Sequence, residues 1–170
     1  MTKEQLGSLI IASEDSLYHV AKTLLREDAD CADAIQEAIV SAFTKLHTLR
    51  SDEFAKTWLT RILINECYDI LRKQKHEVSI EEENMPDLEA AEPNAGQNYS
   101  ELYEALETLP DEMRICITLF YMEGYSIREI ASILEVNENT VKSRLSRAKA
   151  RLRRALEPED CPDRGSRQNG

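Results

Sequence analysis

Apolar residues recur at helical spacing along most of the chain, and the places where the pattern lapses divide it. From Lys3 to Glu27 the apolar positions are Leu6, Leu9, Ile10, Leu17, Val20, Ala21, Leu24 and Leu25. They predict one long helix, or two with a break near Ser13 to Asp15. A polar corner at Asp28 to Asp30 leads into a helix ending about Leu46, with Ile35, Ile39, Ala42, Phe43 and Leu46 on one face. After a loop from His47 to Glu53, the stretch Phe54 to Lys75 carries Leu59, Ile62, Leu63, Cys67 and Ile70 as a core stripe. The pattern then fails: Glu77 to Asn98 holds seven acids, two prolines and no Lys or Arg, and reads as a flexible linker. Tyr99, Leu102, Leu106 and Leu109 open a second unit with a helix to about Thr108. Pro110 suits the first position of the next helix, which runs to about Met122. Its wide apolar face comprises Ile115, Ile117, Leu119, Phe120, Tyr121 and Met122, and Gly124 ends it. The expected fold is all-α, two small helical domains joined by an acidic linker, with a polar tail from Glu157 expected to be disordered.

The stretch Gly124 to Ala155 has the layout of a helix-turn-helix. Ser126 followed by Glu129 is a capping box for a helix from Ile127 to about Leu134, with Ile127, Ile130, Ala131 and Leu134 on one face. Glu135-Val136-Asn137 is the length of a tight turn, and Asn137 is an N-cap for a helix from Glu138 to about Leu156. The second helix would bury Val141, Leu145, Ala148 and Leu152. Elsewhere it is basic, with seven Lys or Arg against the single acid Glu138. The leading end of such a helix enters the major groove, so Asn139, Thr140, Lys142, Ser143, Arg144 and Arg147 are the candidate groove contacts. A solvated basic surface helix is the plainer reading of the charge run. The coincidence of capping box, small Ala131, turn length and basic second helix in one stretch favours DNA.

Net charge changes what that helix can do alone. The 170-residue chain carries a formal charge of −11, so most of its surface repels DNA, and the basic helix should bind weakly outside a carrier complex. Acids concentrate at Glu27, Asp28, Asp30, Asp33 and Glu37, with no Lys or Arg between residues 27 and 44. Helix-dipole complementarity accounts for the first turn. An uncompensated acidic face beyond it asks for a basic protein partner.

A second stripe runs along the 54–75 helix away from its core stripe: Trp58, Arg61, Asn65, Asp69 and Arg72, followed by Lys73. An aromatic, an amide and cations on one face suit single-stranded or melted nucleic acid. Trp58 packed in the core, with Asn65 and Asp69 solvated, fits the same spacing equally well.

Other chemistries find little support. Cys31, Cys67, Cys116 and Cys161 are widely spaced without a CxxC pair, and His19, His47 and His76 form no cluster, so neither metal nor cofactor is expected. There is no nucleophile-base pattern or glycine-rich phosphate loop to argue for an enzyme. No apolar run approaches the roughly 18 residues of a membrane span, and the N-terminus lacks a signal-peptide layout, so the expected location is cytoplasmic.

Three segments are similar to motifs of the extracytoplasmic-function (ECF, group IV) sigma factors of bacterial RNA polymerase: DADCADAIQEAIVSAFTKL, TWLTRILINECYDILRK, and LPDEMRICITLFYMEGYSIREIASILEVNENTVKSRLSRAKARL. The resemblance covers about residues 3 to 156. It implies a sigma region 2 domain (1–76), an acidic linker (77–98), a sigma region 4 domain (99–156) and a tail (157–170). It also implies that Asp33, Gln36 and Glu37 dock on the core polymerase clamp helices. Asn65, Asp69, Arg72 and Lys73, on the stripe with Trp58 and Arg61, would meet the melted −10 element, with the loop Leu49 to Lys56 as a flipped-base pocket. Lys142, Ser143, Arg144 and Arg147 would hold the −35 duplex, the linker would thread toward the RNA exit path, and an anti-sigma factor would control the whole. The sequence departs from the family pattern at Ala55, where an aromatic often stands, and at Ser146, where some members place a bulkier residue. The competing reading is a helix-turn-helix operator-binding regulator, which would need a dimerisation or sensor surface in its N-terminal half.

Overall fold

The computed structural model describes residues 1–80 and 97–157. Among the described residues there are eight α-helices and no strand: α1 (Lys3–Ala12), α2 (Glu14–Leu24), α3 (Asp28–Thr44), α4 (Ala55–Ile80), α5 (Gln97–Glu107), α6 (Asp111–Ile117), α7 (Ile127–Leu134) and α8 (Glu138–Leu156). Short 3-10 turns at Leu46–Thr48 and Asp52–Phe54 connect α3 to α4.

The first unit is built from α1 to α4. Thr2 caps α1 reciprocally with Gln5, the hydroxyl accepting from the Gln5 amide at 3.0 Å and the Gln5 side chain accepting from the Thr2 amide at 2.8 Å. The break falls at Ser13, whose amide closes α1 on Leu9 and Ile10 before α2 begins. The corner ahead of α3 lies at Leu25 to Glu27, earlier than the polar residues suggested. The Asp28 carboxylate pins it by accepting from Lys22 Nζ at 2.8 Å and the Tyr18 hydroxyl at 2.9 Å. The inward line of α3 also differs from expectation, except at Ala42. Cys31, Ala34, Ala38 and Ala42 are the buried residues, while Ile35, Phe43 and Leu46 pack at its flanks. Small side chains let α3 lie close along α4, so the bulk of the interface comes from Leu59, Leu63 and Cys67 of α4.

Helix α4 continues to Ile80 and α5 begins at Gln97, so the stretch read as a linker is helical at both ends; its residues 81–96, and the tail from 158, lie outside the described residues. In the second unit Pro110 is the N-cap of α6 rather than its first residue, with extended ψ of 154°. Past Ile117 the helix widens into one π turn, Thr118–Met122, and Gly124 at φ 75° closes it, the Tyr125 amide reaching back to the Leu119 carbonyl at 2.9 Å. That widening turns Tyr121 and Met122 out to solvent, contrary to the expected apolar face.

The two units pack directly on each other, α2 against α6 and α4 against α7. Arg114 Nε donates to the Thr23 carbonyl at 2.9 Å, Thr23 and Thr118 hydroxyls meet at 3.0 Å, and Ser16 donates to Glu123 at 2.6 Å. Helix α4 is consequently buried on a further side. Thr60, Ile64 and Tyr68, spaced i, i+4, i+8, form that side: Thr60 shares a 2.9 Å hydrogen bond with the Tyr125 hydroxyl, and Tyr68 feels Asp111, Arg144 and Glu112.

Candidate nucleic-acid interface

The helix-turn-helix forms as its sequence signals specify. Ser126 and Glu129 complete the capping box, at 3.0 and 2.9 Å. Glu135 turns the chain in the left-handed region, at φ 60° and ψ 44°, and the Asn137 side chain accepts from the Thr140 amide at 2.9 Å to start α8. Ile130 and Ala131 are buried as expected. Ile133, off that face, is also buried because α7 is covered by both α8 and α4.

Helix α8 buries Val141, Leu145 and Ala148, with Leu152 packed beside them. Asn139, Lys142 and Arg147 are exposed; Thr140 and Ser143 are half-buried. Arg144 is set apart. Its side chain is only 23% exposed and faces Glu112 across 3.8 Å, near Cys116 and Tyr68. Ser146, exposed between Lys142 and Ala150 on the outer face, belongs with the groove candidates by position.

On α4, Asn65, Asp69, Arg72 and Lys73 are exposed, with Arg72 paired to Asp69. Arg61 is half-buried and paired with Glu135 of the helix-turn-helix turn. Trp58 packs its ring against the core and donates from Nε1 to the Thr48 hydroxyl at 3.3 Å. Its core-packed reading holds, with the indole N–H tied to the loop above. In that loop Ala55 is buried and its neighbour Phe54 is 53% exposed. Lys56 lies 5.7 Å from the Tyr125 ring centroid.

Asp33, Gln36 and Glu37 all project from the outer side of α3. Val40 joins them one turn on at 61% exposure, a residue passed over in the sequence because a lone valine carries no charge or motif. Beside this face Ile10, Ile11, Tyr18, Ile35 and Ile39 line a groove between α1, α2 and α3, rimmed by Glu14, Asp15 and Asp28.

Titration shifts report packing rather than chemistry. Burial pushes the Cys67 thiol up to about 12, and burial with nearby Asp111 pushes the Tyr68 phenol up to about 12 against the opposing pull of Arg144. Cys31, Cys67 and Cys116 are buried thiols, and no metal-holding cluster occurs among the described residues. No described helix is long and apolar enough to cross a membrane.

Comparison with known proteins agrees with this geometry. Residues 9–77 match the family described as Sigma-70 region 2, and residues 99–152 match Sigma-70, region 4. RNA polymerase sigma factor SigV of Bacillus subtilis is 33% identical over 159 residues, covering 94% of this chain and 95% of that protein. ECF RNA polymerase sigma factor SigM of Mycobacterium tuberculosis is 38% identical over 142 residues, 82% of this chain and 71% of that one. Among solved structures, the sigma factor RpoE in complex with the anti-sigma factor NepR from Bartonella quintana superposes with a TM-score of 0.79 at 26% identity, covering 90% of this chain and 97% of that chain. Helices, exposed basic α8, acidic α3 and family matches converge: the chain belongs to the extracytoplasmic-function sigma factors of bacterial RNA polymerase, within the sigma-70 family.

Proposed function

We propose that this sigma factor divides promoter recognition between its two units: 99–156 holds the −35 duplex through α8, and 1–76 holds the melted −10 strand through α4. The observation that carries the reading is the exposed basic outer side of α8 in a chain of net charge −11. Such a chain reaches DNA productively only on a carrier, and Asp33, Gln36, Glu37 and Val40 on α3 supply the face that docks on core polymerase. Asn139, Lys142, Ser143, Ser146 and Arg147 contact the −35 groove, and Arg144 joins them after release from Glu112. Asn65, Asp69, Arg72 and Lys73 track the −10 strand, with Trp58 and Phe54 bordering the flipped base. Its work is binding and positioning, with no catalytic step, and its place is the cytoplasm. The RpoE neighbour, solved with an anti-sigma factor, supports the same kind of control here. The test is run-off transcription with Arg147→Ala and Lys142→Ala. Loss of −35-dependent transcripts with polymerase association intact is expected. Loss of polymerase association in both variants would contradict the assignment of α8 to DNA.

A further inference from the structure

Helix α8 carries more positive charge than its own surroundings answer. Lys142, Arg147, Lys149, Arg151, Arg153 and Arg154 are all exposed, and none of the six forms an ion pair among the described residues. Only Arg144 on this helix does, with Glu112. Helix-dipole complementarity accounts for Arg153 and Arg154 in the last turn. It does not extend to Arg147 or Lys149. Phosphate answers the outer face when DNA is bound, and nothing among the described residues answers it otherwise.

The chain that follows α8 is of opposite sign. From Glu157 to Asp163 it reads EPEDCPD, four acids with no Lys or Arg. Pro158 cannot extend the helix, and Glu157 before it is already extended, at φ −78° and ψ 142°, so the backbone leaves the α8 axis at that point. The six residues from Glu157 to Asp163 span up to about 20 Å. Arg147 lies about 15 Å back along α8 from Glu157. Carboxylates at Glu159, Asp160 and Asp163 therefore reach the cations from Arg154 back to Arg147, and the tether holds them there at an effective concentration of order millimolar. We infer that 158–163 folds back on the outer face of α8 and occupies its phosphate-holding cations in the free chain, an internal polyanion that duplex DNA must displace. The inference rests on the assignment of α8 to DNA above and adds a competitor built into the chain. Acids elsewhere on the body repel DNA through the overall field, whereas these three take up the cations themselves.

Two readouts in the full chain test it. Cys161 lies among the tail acids and Cys31, Cys67 and Cys116 are buried, so Ala150→Cys on the exposed outer face offers Cys161 a disulfide partner when the tail is folded back. On mild oxidation at low salt this disulfide should form about fivefold or more faster than in the same chain carrying Glu159→Gln, Asp160→Asn and Asp163→Asn. Raising salt to about 0.5 M should erase the difference. Thiol chemistry alone runs the other way, because removing carboxylates around Cys161 favours its thiolate. In the second readout, the three tail substitutions in the otherwise unaltered chain should tighten binding to a random-sequence duplex about threefold or more at low salt. The salt slope should steepen by about one or more, since counterions then cover α8 in place of the tail. Glu4→Gln with Glu14→Gln and Asp15→Asn removes the same charge from exposed positions of α1 and α2, and should give a clearly smaller gain. Equal disulfide rates, or equal gains from the two charge removals, would overturn the inference. Arg147→Ala separates it from the reading beneath it. If Arg147→Ala weakens duplex binding while neutralising the tail leaves it unchanged, the competitor is lost and α8 keeps its DNA role; if neither changes binding, the assignment of α8 to DNA fails and the competitor with it.

Discussion

Single side chains set how firmly the helix-turn-helix is formed and how the two units pack. Asn137 satisfies the first turn of α8 through its 2.9 Å bond from Thr140. Asn137→Ala is expected to cost about 1 kcal/mol, read as a lower denaturant midpoint. Promoter affinity should fall with it because the groove contacts begin two residues on. Tyr68 sets a pH limit. Its phenol, ordinarily at 10, is raised to about 12 by burial against the second unit, so the packed state favours the neutral form. Its contribution is intact below pH 10 and is lost as pH climbs from 10 toward 12. Tyrosinate absorbance followed together with unfolding should show this loss, and Tyr68→Phe should flatten it. Tyr125 shifts in the same direction, which makes comparison at each pH necessary. Capping residues such as Ser126, Glu129 and Asn137 were legible in the sequence because their partners lie within one helical turn. The roles of Thr60, Tyr68 and Arg144 were not, since each faces residues more than 30 positions away and no local periodicity encodes such a meeting.

At the scale of the element, α3 and α4 show how far periodicity goes. Helix positions follow from the apolar spacing, yet beside the expected Ala42 the inward line of α3 is made of Cys31, Ala34 and Ala38, each smaller and less hydrophobic than Ile35, Ile39 and Phe43. A close helix crossing selects for smallness, which a hydrophobicity pattern does not register. The larger residues are displaced to the flanks, and Ile35 and Ile39 help line the groove beside Asp33, Gln36 and Glu37. Asp33→Ala with Gln36→Ala should weaken association with core polymerase by about tenfold or more while helicity is unchanged, measured by gel-filtration co-elution and circular dichroism. Unchanged association would remove this face from the account. On α8, Arg147→Ala should lower promoter affinity and reduce the salt slope of binding by about one, as expected for one lost phosphate contact.

The whole molecule joins an acidic body to one basic helix, and that asymmetry ties its function to a carrier. In the proposed division of labour, repulsion suppresses idle binding to DNA, while core polymerase supplies both a docking partner for α3 and the register in which α4 and α8 would meet their elements. Two helical units and their family were readable from three motif segments, whereas their mutual packing was hidden because it depends on faces that look like ordinary surface in either unit alone. The most direct measurement is co-elution of the purified protein with bacterial core polymerase, followed by run-off transcription from the source organism's fragmented genomic DNA. Co-elution with new discrete transcripts is the expected result. Tight operator-like binding by the free protein, with no co-elution and no transcripts, would contradict the account.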